Sequence, residues 1–177
     1  RKNSIFERLY EFCEQNKLEN AFDQLTYQGR MHAEIADFPN QHFYDGKLNV
    51  AYDIPNLNDE IKQELNRQRA DLYFENSDEN NQIQHYISTH RFGFVNVEEN
   101  PYLPQTNIHE ADLIVNFVKE IMSLYQLNNK PFDSKKTIGI IAPFRNQIAL
   151  IKQKLELANV PNFEQITVDT VERYQGS

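Results

Sequence analysis

The chain has 177 residues, 40% of them apolar and 25% charged, which suits one soluble globular domain with room for a hydrophobic core. Its single cysteine, Cys13, excludes an internal disulfide and a cysteine-based zinc site, and no apolar run is long enough to cross a bilayer. A net charge of −8, from 26 acidic and 18 basic residues, excludes nucleic-acid binding through overall basicity but leaves room for a local basic path on one face.

The opening Arg1-Lys2-Asn3-Ser4-Ile5-Phe6-Glu7 has neither an initiating Met nor the apolar core of a signal peptide, and reads as an interior piece of a longer protein in a reducing, cytoplasmic setting. Ser4 and Glu7 have capping-box spacing. Ile5, Phe6, Leu9, Tyr10 and Cys13 then share a face, so a first helix is expected to about Lys17. Residues 21–27 read as a short strand broken by Gly29, and residues 31–46 as two helical pieces with a turn at Phe38-Pro39-Asn40. Residues 47–56 read as extended. Residues 58–91, rich in Asn, Gln, Glu and Asp without Gly or Pro, read as a peripheral insertion with an exposed loop over 75–81.

A regular pattern follows. Residues 92–97 predict a strand. Asn107 and Glu110 make a second cap-like start, leading a helix whose apolar face carries Leu113, Ile114, Phe117, Val118, Ile121, Leu124 and Tyr125. Residues 137–142 are nearly continuously apolar, as in a strand buried on both faces. A helix with Ile148, Ile151 and Leu155 and a strand over 165–169 complete an alternation that predicts a parallel α/β sheet. Ligands of such sheets sit at the carboxyl ends of the strands, which directs attention to the loops after Tyr27, Ala142 and Asp169.

No G-x-x-x-x-G-K-[ST] occurs in the chain, so it has no P-loop of its own, and H-E-x-x-H and G-x-S-x-G are absent too. Three segments do carry a resemblance. They are residues 25–48 (LTYQGRMHAEIADFPN, then FYDGKL), residues 107–111 with 138–147 (NIHEA, then IGIIAPFRNQ), and residues 167–176 (TVDTVERYQG). In that order they resemble motif IV, the N-x-x-E-A and I-G-[IV]-I-[TA]-P-[YF]-x-x-Q segment, and motif V of superfamily 1B helicases of the nonsense-mediated-decay and Dna2 type. The resemblance covers the chain outside residues 58–91 and implies the second RecA-like domain of such a helicase over 1–177, truncated within motif V. Its implied fold is α/β, a three-layer RecA-like arrangement around a mainly parallel sheet, P-loop NTPase-like without its own P-loop.

The resemblance also implies site residues. Arg30 corresponds to an arginine that reaches the γ-phosphate held by the first motor domain, where an always-charged, forked guanidinium stabilises charge in phosphoryl transfer. Gln28 corresponds to a glutamine near the nucleotide, although a satisfied strand-end amide explains it equally well. Met31 and His32 are expected to pack and hold the arginine loop. Pro143, Phe144, Arg145 and Asn146 fall where the family touches single-stranded nucleic acid, at a helix N-terminus with an added cation; an ordinary strand-to-helix turn is the plainer alternative. Thr170 is expected to donate to a nucleic-acid phosphate, and Gln175 and Gly176 to approach the nucleotide. Asn107 and Glu110 are assigned to capping.

Gly29 stands where the family usually has a Tyr stacked on adenine, Ala33 where it has Pro, and Ala142 where some members have Thr. The expected ligands are ATP and Mg2+, held mainly by a P-loop motor domain of the same polypeptide, with single-stranded DNA or RNA as partner and no membrane. The isolated fragment is expected to be inactive. The alternative is a non-catalytic RecA-like module of a nucleic-acid processing or defence protein. A nuclease ranks last, because its carboxylates would have to cluster around metal ions.

Overall fold

A computed structural model describes residues 4–50, 56–62, 74–98 and 105–174. The chain divides into two compact units, residues 1–71 and 72–177. Among the described residues no helix is long and apolar enough to cross a membrane.

The first unit opens with helix α1 (Ile5–Gln15), started as predicted by Ser4, whose Oγ accepts from the Glu7 N–H at 3.1 Å. Lys17 adopts φ 54, and Leu18 N–H reaches back to Cys13 O, so the chain turns out of the helix in the left-handed region. A 3-10 turn (Glu19–Ala21) follows and ends where the strand predicted over 21–27 begins. Strand β1 is only Tyr27–Gln28, paired in parallel with β2 (Asn49–Val50). The extended residues before it, with Leu25 86% exposed, have no ladder partner among the described residues.

Between these strands runs α2 (Ala33–Phe43), one continuous helix with Pro39 inside it rather than the two pieces expected from the sequence. Proline removes one N–H and crowds the preceding turn, but both ends of α2 are tied. His32 Nδ1 accepts from Glu34 N–H at 3.2 Å. At the other end Asn40 O accepts from Tyr44 and Gly46, and Asn40 Oδ1 accepts from Leu48 N–H at 2.8 Å. Gly46, at φ 72 after Asp45 at φ 51, supplies the left-handed backbone that this return needs.

In the second unit, helix α3 (Gln82–Thr89) is capped by Asn81, and α4 (Ile108–Leu127) by Asn107. Strand β3 (Gly139–Ile141), helix α5 (Arg145–Leu157), strand β4 (Thr167–Asp169) and the short helix α6 (Val171–Tyr174) complete it. β3 and β4 pair in parallel with Gly139 opposite Thr167, Ile140 opposite Val168 and Ile141 opposite Asp169, and Ala142 N–H extends the ladder to Asp169 O. Both ladders are parallel, so the α/β class and the strand–helix–strand order follow the sequence expectation.

The core gathers Ile140 and Val168 from the strands, Ile151 and Leu155 from α5, and Ala111, Val115 and Val118 from α4. The spacing of these helical positions, three or four apart, forms the apolar stripe that burial requires. Lys154 and Asp112 tie α5 to α4 at 2.7 Å.

Three expectations change. Residues 92–97 enter no ladder among the described residues, with Phe94 85% exposed. β3 is buried on one face only: Ile140 points into the core, while Ile141 opens on an apolar groove lined with Phe94, Val97, Leu113, Phe117 and Ile138. The end of the polar stretch read as an insertion is packed: Phe74 is buried edge-on against Tyr125, and buried Gln84 donates to Glu120 Oε2 at 2.7 Å. Asn76 and Asn128 close that junction reciprocally, each hydrogen bond 2.8 Å.

Candidate functional site

Two places collect the residues singled out by sequence, one in each unit. In the first, β1 ends at Gln28, and its parallel pairing with β2 makes this the carboxyl end of the ladder. The Gln28 amide folds over the following loop. Its Oε1 accepts from the N–H groups of Arg30 (3.0 Å) and Met31 (2.7 Å), and its Nε2 donates to Met31 O (2.8 Å).

One side chain therefore satisfies three backbone groups that a sharp turn would otherwise leave to solvent. The loop it fixes presents Arg30, whose side chain is exposed and joins no ion pair among the described residues. The strand-end amide role of Gln28 is thus realised as a staple on the arginine loop. His32 acts as the N-cap of α2, and Met31 is half-buried. Gly29 is half-buried, and its φ lies outside the left-handed region, so nothing in its backbone requires a glycine.

In the second unit, the loop after β3 leads through Pro143 to Phe144, which caps α5 with an extended backbone and no side-chain hydrogen bond. Pro143, Phe144, Arg145 and Asn146 are all exposed. Asn146 Nδ2 donates to Gln105 Oε1 at 3.2 Å.

Arg145 and Thr170 come together in one cleft of about 490 Å3, between α5 and the β4–α6 junction. Pro143, Phe144 and Asn146 lie beside that cleft, not in its lining. Its other polar walls are Lys152, Asp169, Glu172 and Arg173, none of which was singled out from the sequence. The spacing Arg145, Ile148, Lys152 on one helical face, and Asp169 four residues before Arg173, were the available signals. Gln175 and Gly176 lie outside the described residues.

Asp169 organises the floor of the cleft. Its Oδ1 accepts from the Thr170 N–H at 2.8 Å, and its Oδ2 accepts from Arg173 Nε at 3.2 Å. The Thr170 N–H holds the Asp169 carboxyl below the usual carboxylate range; partial desolvation opposes this, and Arg173 and Lys152 add to it. The Thr170 side chain likewise leads the causes that hold the Glu172 carboxyl low. Tyr174 secures α6 from behind, its hydroxyl donating to Thr167 O at 2.7 Å.

Gln147, which closes the IGIIAPFRNQ segment, has a role that the sequence leaves open. Although it is the third residue of α5, it is 97% buried by its 3% exposure, and its amide pairs with both backbone groups of Asn107. Asn107 caps α4 as expected through His109 and Glu110 N–H, but its own N–H goes to Gln147 Oε1 at 2.8 Å. The Glu110 carboxylate instead accepts from Gln147 Nε2 at 3.2 Å. Gln147 therefore locks the start of α5, where Arg145 sits, to the start of α4. Among the described residues no group of His, Cys, Asp or Glu side chains is placed to hold a metal ion.

An AAA domain family profile matches residues 1–177. The chain is 35% identical to the bovine DNA replication ATP-dependent helicase/nuclease DNA2 over 98% of its own length and 16% of that protein. It is 33% identical to the human protein of the same name, with the same two coverages. With Helicase sen1 of Schizosaccharomyces pombe it shares 24% identity over 98% of this chain and 9% of the relative. The chain thus spans under a fifth of the curated relatives it matches. No solved structure matches it.

Proposed function

Because the chain belongs over its whole length to the AAA domain family, together with superfamily 1 helicases of the DNA2 and Sen1 type, we propose that it is the second RecA-like motor lobe of an ATP-driven nucleic-acid helicase. The observation that carries this function is the arginine loop. Gln28 pins the backbone of residues 30 and 31 at the carboxyl end of a parallel strand and leaves the Arg30 guanidinium exposed.

In the proposed mechanism Arg30 forks onto the γ-phosphoryl oxygens of ATP and stabilises the charge that develops as the phosphoryl group transfers. The triphosphate itself requires a P-loop, and the sequence has none. Mg2+ would be held by that P-loop lobe, where it would supply charge neutralisation to the phosphates. Arg145 and Thr170 contact the phosphodiester backbone of a single strand across the second cleft. Backbone contacts carry little base information, so the activity is sequence-independent. Hydrolysis then alters closure between the lobes and alternates their grip on the strand.

The experiment is ATP hydrolysis by the complete polypeptide with and without oligothymidylate. Hydrolysis stimulated by the single strand is the expected result; absence of hydrolysis under both conditions overturns the motor function. A non-catalytic RecA-like module is the second possibility, favoured by Gly29 and Ala33, which stand where the resembled motif has Tyr and Pro.

Gly29 gives a further expected outcome. Since its backbone does not need glycine, Gly29→Tyr places a ring at the adenine position. The substitution should lower KM for ATP by about five- to tenfold, the lower part of the roughly 1–3 kcal/mol range for stacking a base on an aromatic. kcat should stay unchanged, as for uniform binding energy. Steady-state kinetics across ATP concentration checks both parameters, and an unchanged KM would remove the adenine contact from this position.

A further inference from the structure

The cleft in the second unit holds more cationic chemistry than the two residues assigned to it. Arg145, Lys152 and Arg173 stand against Asp169 and Glu172, three cations to two carboxylates. Arg145 and Lys152 lie two turns apart on the same face of α5, and Arg173 faces them from α6. Among the described residues no aromatic side chain lines this cleft, so they offer it charge and hydrogen bonds but no stacking surface for a base.

Arg173 is held loosely. Its hydrogen bond to Asp169 runs from Nε, at 3.2 Å, and its side chain is 77% exposed. Among the described residues its terminal guanidinium nitrogens make no hydrogen bond. An exposed single-point pair of this kind is weak and exchangeable, whereas a phosphate can take two parallel N–H donors from the same guanidinium. Asp169 does not depend on Arg173 for its position, because its other oxygen is held by the Thr170 N–H at 2.8 Å. The carboxylate can therefore stay in place while the arginine changes partner.

We infer that Arg173 and Lys152 are further phosphodiester contacts of this cleft, and that Asp169 is the resident anion that a nucleic-acid phosphate replaces on Arg173. This rests on the proposed role of the cleft as the single-strand path. The carboxylate gives the empty cleft a counter-charge, keeps Arg173 aimed across it, and sets a threshold below which weaker anions do not bind.

The test is binding of a fluorescently labelled oligothymidylate to the complete polypeptide, by anisotropy over a series of salt concentrations. Asp169→Asn keeps an oxygen for the Thr170 N–H and removes the charge from Arg173. It should bind about two- to fivefold more tightly at low salt. Arg173→Ala and Lys152→Ala should each bind more weakly, with the slope of log K against log salt shallower by about 0.7, the value for one single-strand phosphate contact. Adding Asp169→Asn to Arg173→Ala should restore nothing, because its effect passes through Arg173.

The inference is overturned if Asp169→Asn binds no more tightly than wild type, or gains as much without Arg173 as with it. Lys152 is exposed on a regular helix, so Lys152→Ala keeps the test decisive should a substitution at Asp169 disturb the β4–α6 turn: an unchanged salt slope for it also refutes the clamp. Arg145→Ala separates the two levels of the proposal. If it weakens binding while the other three variants match wild type, only the inference falls; if it too is silent, the single-strand function of the cleft falls with it.

Discussion

Arg30→Ala in the complete polypeptide is expected to slow single-turnover ATP hydrolysis by about three to five orders of magnitude, the range attributed to an arginine that stabilises the phosphoryl-transfer transition state. The effect should fall on the chemical step. Arg30 is exposed, and the Gln28 hydrogen bonds reach the loop backbone rather than the guanidinium, so its truncation leaves the loop and the fold in place. Arg30→Lys keeps the charge but loses the forked donor geometry, and should recover only part of the rate. Rapid-quench measurement of a single turnover separates this from slower product release. A wild-type enzyme that hydrolyses ATP, with an Arg30→Ala variant equally fast, would remove this residue from catalysis.

The second large effect concerns stability. Leu155 is fully buried where α5 meets the β3–β4 pair. Leu155→Ala should cost about 2–5 kcal/mol, through lost transfer free energy and the cavity left behind. For a unit of this size that corresponds to a fall in thermal midpoint of roughly 10 °C or more. Leu157, two residues further along the same helix, is 70% exposed, and Leu157→Ala should change stability by less than about 0.5 kcal/mol. Calorimetry of both variants checks the comparison; equal effects would show that α5 does not pack as described. The consequence for function is direct, because α5 carries Arg145 and Lys152 into the cleft and Gln147 into its lock on α4.

What the sequence revealed depended on whether the governing interaction was local. Ser4 and Asn107 announced their caps because the acceptor and the N–H groups it serves lie within three residues. The strand–helix–strand order around Pro143 was legible because burial imposes its own periodicity on Ile140, Ile151, Leu155 and Val168. Strand pairing is not local. Residues 92–97 read as a strand yet enter no ladder among the described residues, and of the stretch 21–27 only Tyr27 joins one. Pro39 predicts a turn between two helical pieces, but the ties made by His32 and Asn40 keep α2 continuous through it.

The sites divide in the same way. Motif resemblance located Arg30, Arg145 and Thr170, and the structure places the last two in one cleft. It matched Gln147 without giving its role, since a glutamine near a helix start looks solvated until the backbone of Asn107, forty residues away, is found against it. Lys152 and Arg173 were hidden for a related reason. Each is unremarkable on its own helix, and only the parallel pairing of β3 with β4 brings α5 and α6 to the same edge.

The most direct measurement is the position of the Arg30 guanidinium in a crystal structure of the complete polypeptide with Mg2+, ADP and aluminium fluoride. The expected result is two guanidinium nitrogens about 2.7–2.9 Å from the fluoride or oxygen positions that mimic the transferring phosphoryl group. An Arg30 directed into solvent or onto a carboxylate in that state, with the mimic contacted by no cation of this chain, would contradict the motor function at its centre.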